Sequence, residues 1–237
     1  MKALLLAAGL GTRLRPLTNK MPKCLVPING RPLLDYWLEK IFLSGIEECL
    51  INTHYKSEAV DNYINKTKYR EKIKLIYEPK LLGTAGSLKK NIKFFSNSNG
   101  LLIYADNFST FNLNNFLADS LSMPKQCLIS MLTFKCDDPS QAGIVKLNHK
   151  NIMLDFIEKP KYSKNRLANA GIFFMSKDFI KYISLMKKTV FDFSVDIIPF
   201  LKNKIYCIET NEIFYDIGTI KNYNHVNNLF KDNDLIK

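Results

Sequence analysis

Phosphate chemistry is the first thing this sequence can be read for, because glycines, hydroxyls and cations cluster directly after an apolar run at residues 3–8. Gly9, Gly11, Thr12, Arg13 and Arg15 come first, then Lys20, Pro22 and Lys23. Glycines let backbone N–H groups approach phosphate oxygens, the Thr12 hydroxyl adds a donor, and the cations neutralise charge. A glycine-rich turn carrying solvated basic residues fits the same letters. A dinucleotide fingerprint is excluded, since Leu14 stands where the third glycine should be, and no Gly-Lys-Ser/Thr completes a Walker loop.

Other candidates lie further along. The stretch EPKLLGTAGSL, residues 78–88, runs from a strand end into a helix. Its glycines, Gly83 and Gly86, allow close approach by a flat group such as a nucleotide base, or the stretch is a helical first turn capped by Thr84. Asp106 and Asp216 each sit at the end of a strand pattern, a common place to hold Mg²⁺ against bound phosphates and equally a place to cap a turn. Gly143, Glu158-Lys159-Pro160 and Asn169-Ala170-Gly171 would suit a hydroxyl-rich ligand, with Lys159 meeting a phosphate; Glu-Lys-Pro alone also reads as a surface turn.

These residues need a scaffold that gathers strand ends. Strands are expected at 3–8, 48–53, 72–77 and 101–104, and helices at 33–42 and 57–64, with a third carrying Leu88, Ile92 and Phe95 on one face. Such alternation predicts an α/β sheet of parallel strands with crossover helices, whose ligands collect at the carboxyl ends. A helix at 111–121 and a strand at 126–134 follow. The rhythm then changes to β segments at 142–147, 151–157 and 168–175, expected to form a meander capping the strand ends. Helices at 177–187 and 193–201, short strands at 205–208 and 213–215, and a last helix bearing Tyr223, Val226 and Phe230 complete the reading. Neither a repeat nor a linker breaks the chain, so one domain over 1–237 is expected.

The 237 residues suffice for one buried core, and no apolar run reaches the roughly 20 residues that span a bilayer. The initial apolar run is cut by Gly9 and Gly11 and ends at Arg13, which favours a core strand over a secretion signal. Five cysteines without a C-x-x-C pair are expected to be reduced thiols of a cytoplasmic protein. The net charge of +12 is spread along the chain rather than gathered in a basic helix, so it does not point to nucleic acid.

Taken together, AAGLGTRLRPLT, MPKCLVP, EPKLLGTAGSL, YADN, FIEKP, NAG and YDIGT occur in the order found in sugar-1-phosphate nucleotidyltransferases, and the chain resembles that family over nearly its whole length. The resemblance implies a Rossmann-like α/β fold, a mostly parallel sheet with flanking helices and a small β-rich sugar-binding insertion. It implies transfer of a nucleoside monophosphate from an NTP to a sugar 1-phosphate, with pyrophosphate leaving. Arg13 would then grip the triphosphate and Lys23 bridge the reacting phosphates. Gly9, Gly11 and Thr12 would line the nucleotide, and Glu78 and Gly83 would fall in the base-reading loop. Asp106 and Asp216 match the Mg²⁺ ligands. Glu158 would accept sugar hydroxyls, Lys159 would hold the sugar phosphate, and Gly143, Asn169 and Gly171 would shape the sugar pocket.

Many relatives have glycine where this chain has Ala105. The loop LLGTAGSL is most similar to that of mannose- and heptose-1-phosphate guanylyltransferases, which favours GTP over the uridylyl- or thymidylyl-transferring alternative. A non-catalytic paralogue that binds a nucleotide-sugar is disfavoured by the intact charged set. The implied partners are an NTP and a sugar 1-phosphate, with no nucleic acid or membrane and with a homo-oligomer left open. The few residues after the last helix are not expected to form the C-terminal β-helix of some relatives.

Overall fold

β1 (Lys2–Leu6) sends Ala3 and Leu5 into one buried layer and Leu4 into another, because successive strand side chains point to opposite faces. A strand covered on both faces belongs in the middle of a sheet packed between helices. The computed structural model, which describes residues 1–95 and 98–231, places it there. The small hairpin of β2 (Pro27–Ile28) and β3 (Arg31–Pro32) follows, then α1 (Leu33–Leu43), β4 (Glu48–Thr53), α2 (Ser57–Ile64), β5 (Ile73–Tyr77), α3 (Thr84–Lys90) and β6 (Gly100–Tyr104). β6, β1, β4 and β5 lie side by side and parallel, with Lys2 opposite both Glu48 and Gly100. The alternating pattern had predicted this block.

The second half contributes β7 (Asn107–Ser109), α4 (Leu113–Leu121), β8 (Ile129–Lys135), β9 (Gly143–Leu147), β10 (Met153–Glu158), β11 (Leu167–Met175), α5 (Lys177–Leu185), α6 (Phe193–Asp196), β12 (Ile205–Glu209), β13 (Phe214–Asp216) and α7 (Ile220–Lys231). Here the expected meander needs correction. β11 does not stand apart as a cap; it pairs antiparallel with β6 and extends the main sheet, and β9 and β10 continue outward from it. β8 also pairs with β11, and β12 lies parallel to β8, so among the described residues nine strands form one sheet. The reason is burial: Gly171 to Met175 are apolar on both faces, which suits the middle of a sheet. The helix expected at 193–201 is also interrupted. α6 ends at Asp196, and Pro199, which has no N–H to donate, lies in a separate 3-10 turn over Ile198–Leu201.

α1, α2 and α4 pack on the face that holds Ala3 and Leu5, whereas α3, α5 and α6 cover the face that holds Leu4. Trp37 of α1 is buried, and its indole N–H donates to the Asn107 carbonyl at 2.8 Å, tying the first layer to the residue beside Asp106. A third, smaller core joins Leu14, Val26, Ile28 and Leu33 from the start of the chain to Phe108, Ile217 and Val226. It lies beneath the glycine loop and sets where that loop can go.

Candidate active site

The loop after β1 is wound into three 3-10 turns, Thr12–Leu14, Leu17–Asn19 and Lys23–Leu25. Gly11 has φ of +63°, and a Cβ there would meet the Thr18 methyl at 2.9 Å, so glycine is required for both conformation and space. The Thr18 hydroxyl donates to the Gly11 carbonyl at 2.8 Å and fixes the turn. This winding brings Lys23 back under the strand ends.

Lys23 is buried, and its Nζ stands 2.8 Å from Asp106 Oδ2 and 3.2 Å from Asp216 Oδ1. Arg13 reaches the other oxygen of Asp216 at 3.6 Å. The two carboxylates meet because β7 and β13 pair antiparallel with Asn107 opposite Asp216, and the Ile217 N–H donates to the Asp106 carbonyl. Both are 43% exposed, leaving faces open to a ligand. Asp216 is therefore the last residue of its strand rather than a residue beyond it. The structure gathers Arg13, Lys23, Asp106 and Asp216 into one cluster.

Beside this cluster lies a cavity of about 240 Å³ whose walls include Gly9, Lys23, Glu78, Gly83, Tyr104 and Asp106. At its inner end runs a buried polar relay. The Ala7 N–H donates to Asn52 Oδ1 at 2.8 Å, Asn52 Nδ2 donates to Ser87 Oγ at 3.1 Å, and the Ser87 hydroxyl donates to Glu78 Oε2 at 3.0 Å. Glu78 Oε1 has no hydrogen-bond partner, although the side chain is fully buried. A buried carboxylate oxygen without a donor costs free energy, which a ligand donor at that position would recover.

Gly83 is packed against the chain itself. Its φ is +75°, and a Cβ there would lie 2.4 Å from the Phe191 carbonyl oxygen; at Gly86 a Cβ would lie 2.6 Å from the Thr189 carbonyl oxygen. The close approach permitted by these glycines is therefore made by the chain's own backbone at 189–191. Gly83 still lines the cavity.

The remaining predicted residues lie on or directly after β9, β10 and β11. Gly143 pairs with Glu158 across β9 and β10, and a Cβ at Gly143 would strike the Phe156 ring and come within 2.7 Å of Glu158 Oε2. Burial raises the Glu158 carboxyl above its ordinary pKa, Lys159 opposes that shift, and Asp192 adds to it. Lys159 adopts φ of +45°, a conformation uncommon outside glycine that is fixed by its N–H bond to the Ala142 carbonyl. Its Nζ stands 3.7 Å from Glu158 Oε1. Asn169 Oδ1 accepts the Gly171 N–H at 2.8 Å within the β11 irregularity, and the Tyr104 ring lies against Gly171.

Thr12 is exposed on its turn, and neither it nor Gly11, Glu158, Lys159, Asn169 or Gly171 lines the 240 Å³ cavity. Asn52, Ser87 and Tyr104 also line this cavity, and nothing in the sequence reading singles them out. The signal that could have found Asn52 is a polar side chain ending the apolar run Cys49-Leu50-Ile51.

Residues 2–233 match the family model described as nucleotidyl transferase. The chain belongs to this family. A D-glycero-alpha-D-manno-heptose 1-phosphate guanylyltransferase from Campylobacter jejuni is 31% identical over 226 residues, covering 95% of this chain and 98% of that relative. Mannose-1-phosphate guanylyltransferase 1 from Arabidopsis thaliana is 31% identical over 196 residues, covering 80% of this chain and 54% of the plant protein. Among solved structures, HddC from Yersinia pseudotuberculosis complexed with GMP-PN superposes with a TM-score of 0.80 at 26% identity, covering 97% of this chain and 99% of that one. The chain is thus a nucleotidyltransferase, and these relatives from Campylobacter jejuni and Arabidopsis thaliana are named as guanylyltransferases of sugar 1-phosphates.

Proposed function

We propose that this nucleotidyltransferase moves GMP from GTP onto a manno-configured hexose or heptose 1-phosphate. An oxygen of the sugar phosphate attacks the α-phosphorus in line, the bond to the β-phosphate oxygen breaks, and pyrophosphate leaves with the electron pair. The observation that carries the choice of base is Glu78, a residue of the cavity wall whose buried carboxylate keeps one oxygen, Oε1, without a partner. Guanine presents two adjacent donors, N1–H and the 2-amino group, which a carboxylate accepts together. Adenine and cytosine present an acceptor at the corresponding ring nitrogen, and uracil and thymine only one N–H.

The remaining residues divide the work. Gly9, Gly11 and Thr12 offer the loop to the nucleotide, Arg13 offsets the charge that develops on the leaving pyrophosphate, and Lys23 sits where the reacting phosphates must meet. Lys159, set beside Glu158, would take the sugar phosphate, with Glu158, Gly143, Asn169 and Gly171 around the sugar.

A divalent cation fits the Asp106 and Asp216 pair. The pair supplies oxygen ligands only, and no third Asp, Glu, His or Cys joins them among the described residues. Two carboxylates completed by water and substrate phosphates suit Mg²⁺ better than a cation that needs a full protein cage. The ion would supply further neutralisation of the triphosphate. Five free, buried cysteines suit a reducing cytoplasmic setting. No helix among the described residues is long and apolar enough to cross a membrane.

The test is pyrophosphate release from GTP, ATP, UTP, CTP and dTTP, each paired with mannose, glucose and manno-heptose 1-phosphates. GTP with a manno-configured acceptor is expected to be the most active pair. Turnover highest with UTP or dTTP would overturn the reading of Glu78, and binding of GDP-mannose without turnover on any pair would make the protein a sensor instead.

A further inference from the structure

The loop that walls the cavity beside Glu78 is held by a segment from the other half of the molecule. Phe191 N–H donates to the Leu82 carbonyl at 3.0 Å, and the Phe191 carbonyl accepts the N–H groups of Ala85 at 3.2 Å and Gly86 at 3.1 Å. The first amides of α3, which have no partner within the helix, are thus capped by this strap. Next along it, Asp192 Oδ2 accepts the Thr84 hydroxyl at 2.8 Å, and Thr84 Oγ1 accepts the Phe193 N–H at 2.7 Å. Asp192 Oδ1 separately caps α6, accepting the N–H groups of Ser194 and Val195 at 2.8 and 3.1 Å. Beyond the strap, Phe193 is buried against the Phe173 ring of β11 at 4.6 Å between centroids.

We infer that Asp192 is a positioning residue for base recognition, acting through Thr84 to fix where α3 begins and hence where Ser87 meets Glu78. The inference rests on reading the Glu78 cavity as the guanine site. The chain of contacts is short. Ser87 lies one turn beyond Thr84 on α3, and its hydroxyl holds Glu78 Oε2. Gly83, between Leu82 and Thr84, leaves no space between loop and strap, so the strap cannot shift without moving the loop. The two oxygens of Asp192 have separable jobs, one for the α6 cap and one for the Thr84 clasp.

The experiment uses D192N, T84V, T84S and the double variant T84V/D192N in the full chain, with KM for GTP, KM for the sugar 1-phosphate and the GTP-over-ITP preference as readouts. ITP lacks the 2-amino group. D192N keeps an oxygen for the α6 cap but loses the acceptor that the Thr84 hydroxyl needs. It should raise the GTP KM about tenfold, as expected for loss of one charge-assisted hydrogen bond, and erode the preference over ITP. The sugar-phosphate KM should change less. T84V, which also leaves the Phe193 N–H without its acceptor, should lose at least as much as D192N, T84S should behave as wild type, and the double variant should lose no more than T84V alone. D192N and T84V within twofold of wild type for both GTP readouts, or additive losses in the double variant, would overturn the clasp. If wild type shows no preference for GTP over ITP, the guanine reading of Glu78 fails instead, and the KM for whichever triphosphate turns over still decides the clasp.

Discussion

The two ends of the cleft proposed to hold the nucleotide are built on opposite principles. At the base end Glu78, Asn52 and Ser87 are all buried, and the neutral pair Asn52 and Ser87 holds the single carboxylate in place. At the phosphate end Arg13, Asp106 and Asp216 remain substantially exposed, and only Lys23 is buried. Low local dielectric makes an unmet hydrogen bond costly, so the buried end is suited to rejecting wrong bases. Ions that stay in contact with water can rearrange as charge moves between phosphates, which suits the exposed end to the chemical step. On the proposed reading, the contrast gives selectivity to one end and rate to the other.

The most severe way to break that division is at the ions. D106N or D216N should lower kcat at least ~10²-fold, comparable to losing one preorganised electrostatic group, with little change in base preference. Steady-state kinetics on all five triphosphates would check both halves of that statement. E78Q should do the reverse. It replaces an acceptor oxygen by a donor facing guanine, and GTP should lose roughly 10–100-fold of its advantage over other triphosphates, as one bidentate base contact is worth about 1–3 kcal/mol. If E78Q instead lowers kcat equally for all triphosphates, the base end also takes part in the chemical step.

Smaller changes sharpen the comparison. S87A removes one donor to Glu78 and should raise the GTP KM by about tenfold or less, leaving the pyrophosphate KM of the reverse reaction alone. For Glu158, burial holds the proton more tightly than in a free side chain, so sugar-phosphate kcat/KM should be full above that raised pKa. It should fall as pH drops through it, at a higher pH than an ordinary glutamate would give. A pH profile of E158Q, in which that acid limb is flattened, is the check. The mildest contrast is with salt. Raising ionic strength from about 0.1 to 1 M shortens the Debye length from roughly 10 to 3 Å. It should weaken pyrophosphate binding in the reverse reaction more than guanosine inhibition.

How legible was all this in the letters? The parallel block was plain, because strand and helix periods alternate through β1, α1, β4, α2 and β5. β11 was recognised as a strand but misplaced, since an apolar run looks the same in a capping meander as in the middle of a sheet. Lys23, Asp106 and Asp216 stand out by motif and do meet in the structure, yet their meeting depends on β7 and β13, three residues each and too short for any periodicity to show. Gly83 and Gly86 were marked as places of close approach, and they are. What approaches is residues 189–191, about a hundred positions away, and no local pattern announces that. Asn52 and Ser87 escaped for the same reason: each is an ordinary polar residue until the sheet brings Glu78 beside them.

The small core beneath the glycine loop has a consequence in time. Val26 and Ile28 pack against Ile217 and Val226, so the loop after β1 leaves the ribosome about 190 residues before the side chains that seat it. At roughly 5–20 residues per second, that is a wait of roughly 10–40 s. The parallel block can gather meanwhile, but Arg13 and Lys23 stay unseated until β13 and α7 emerge. A nascent chain halted before β13 should therefore be without transferase activity, however well its sheet has formed.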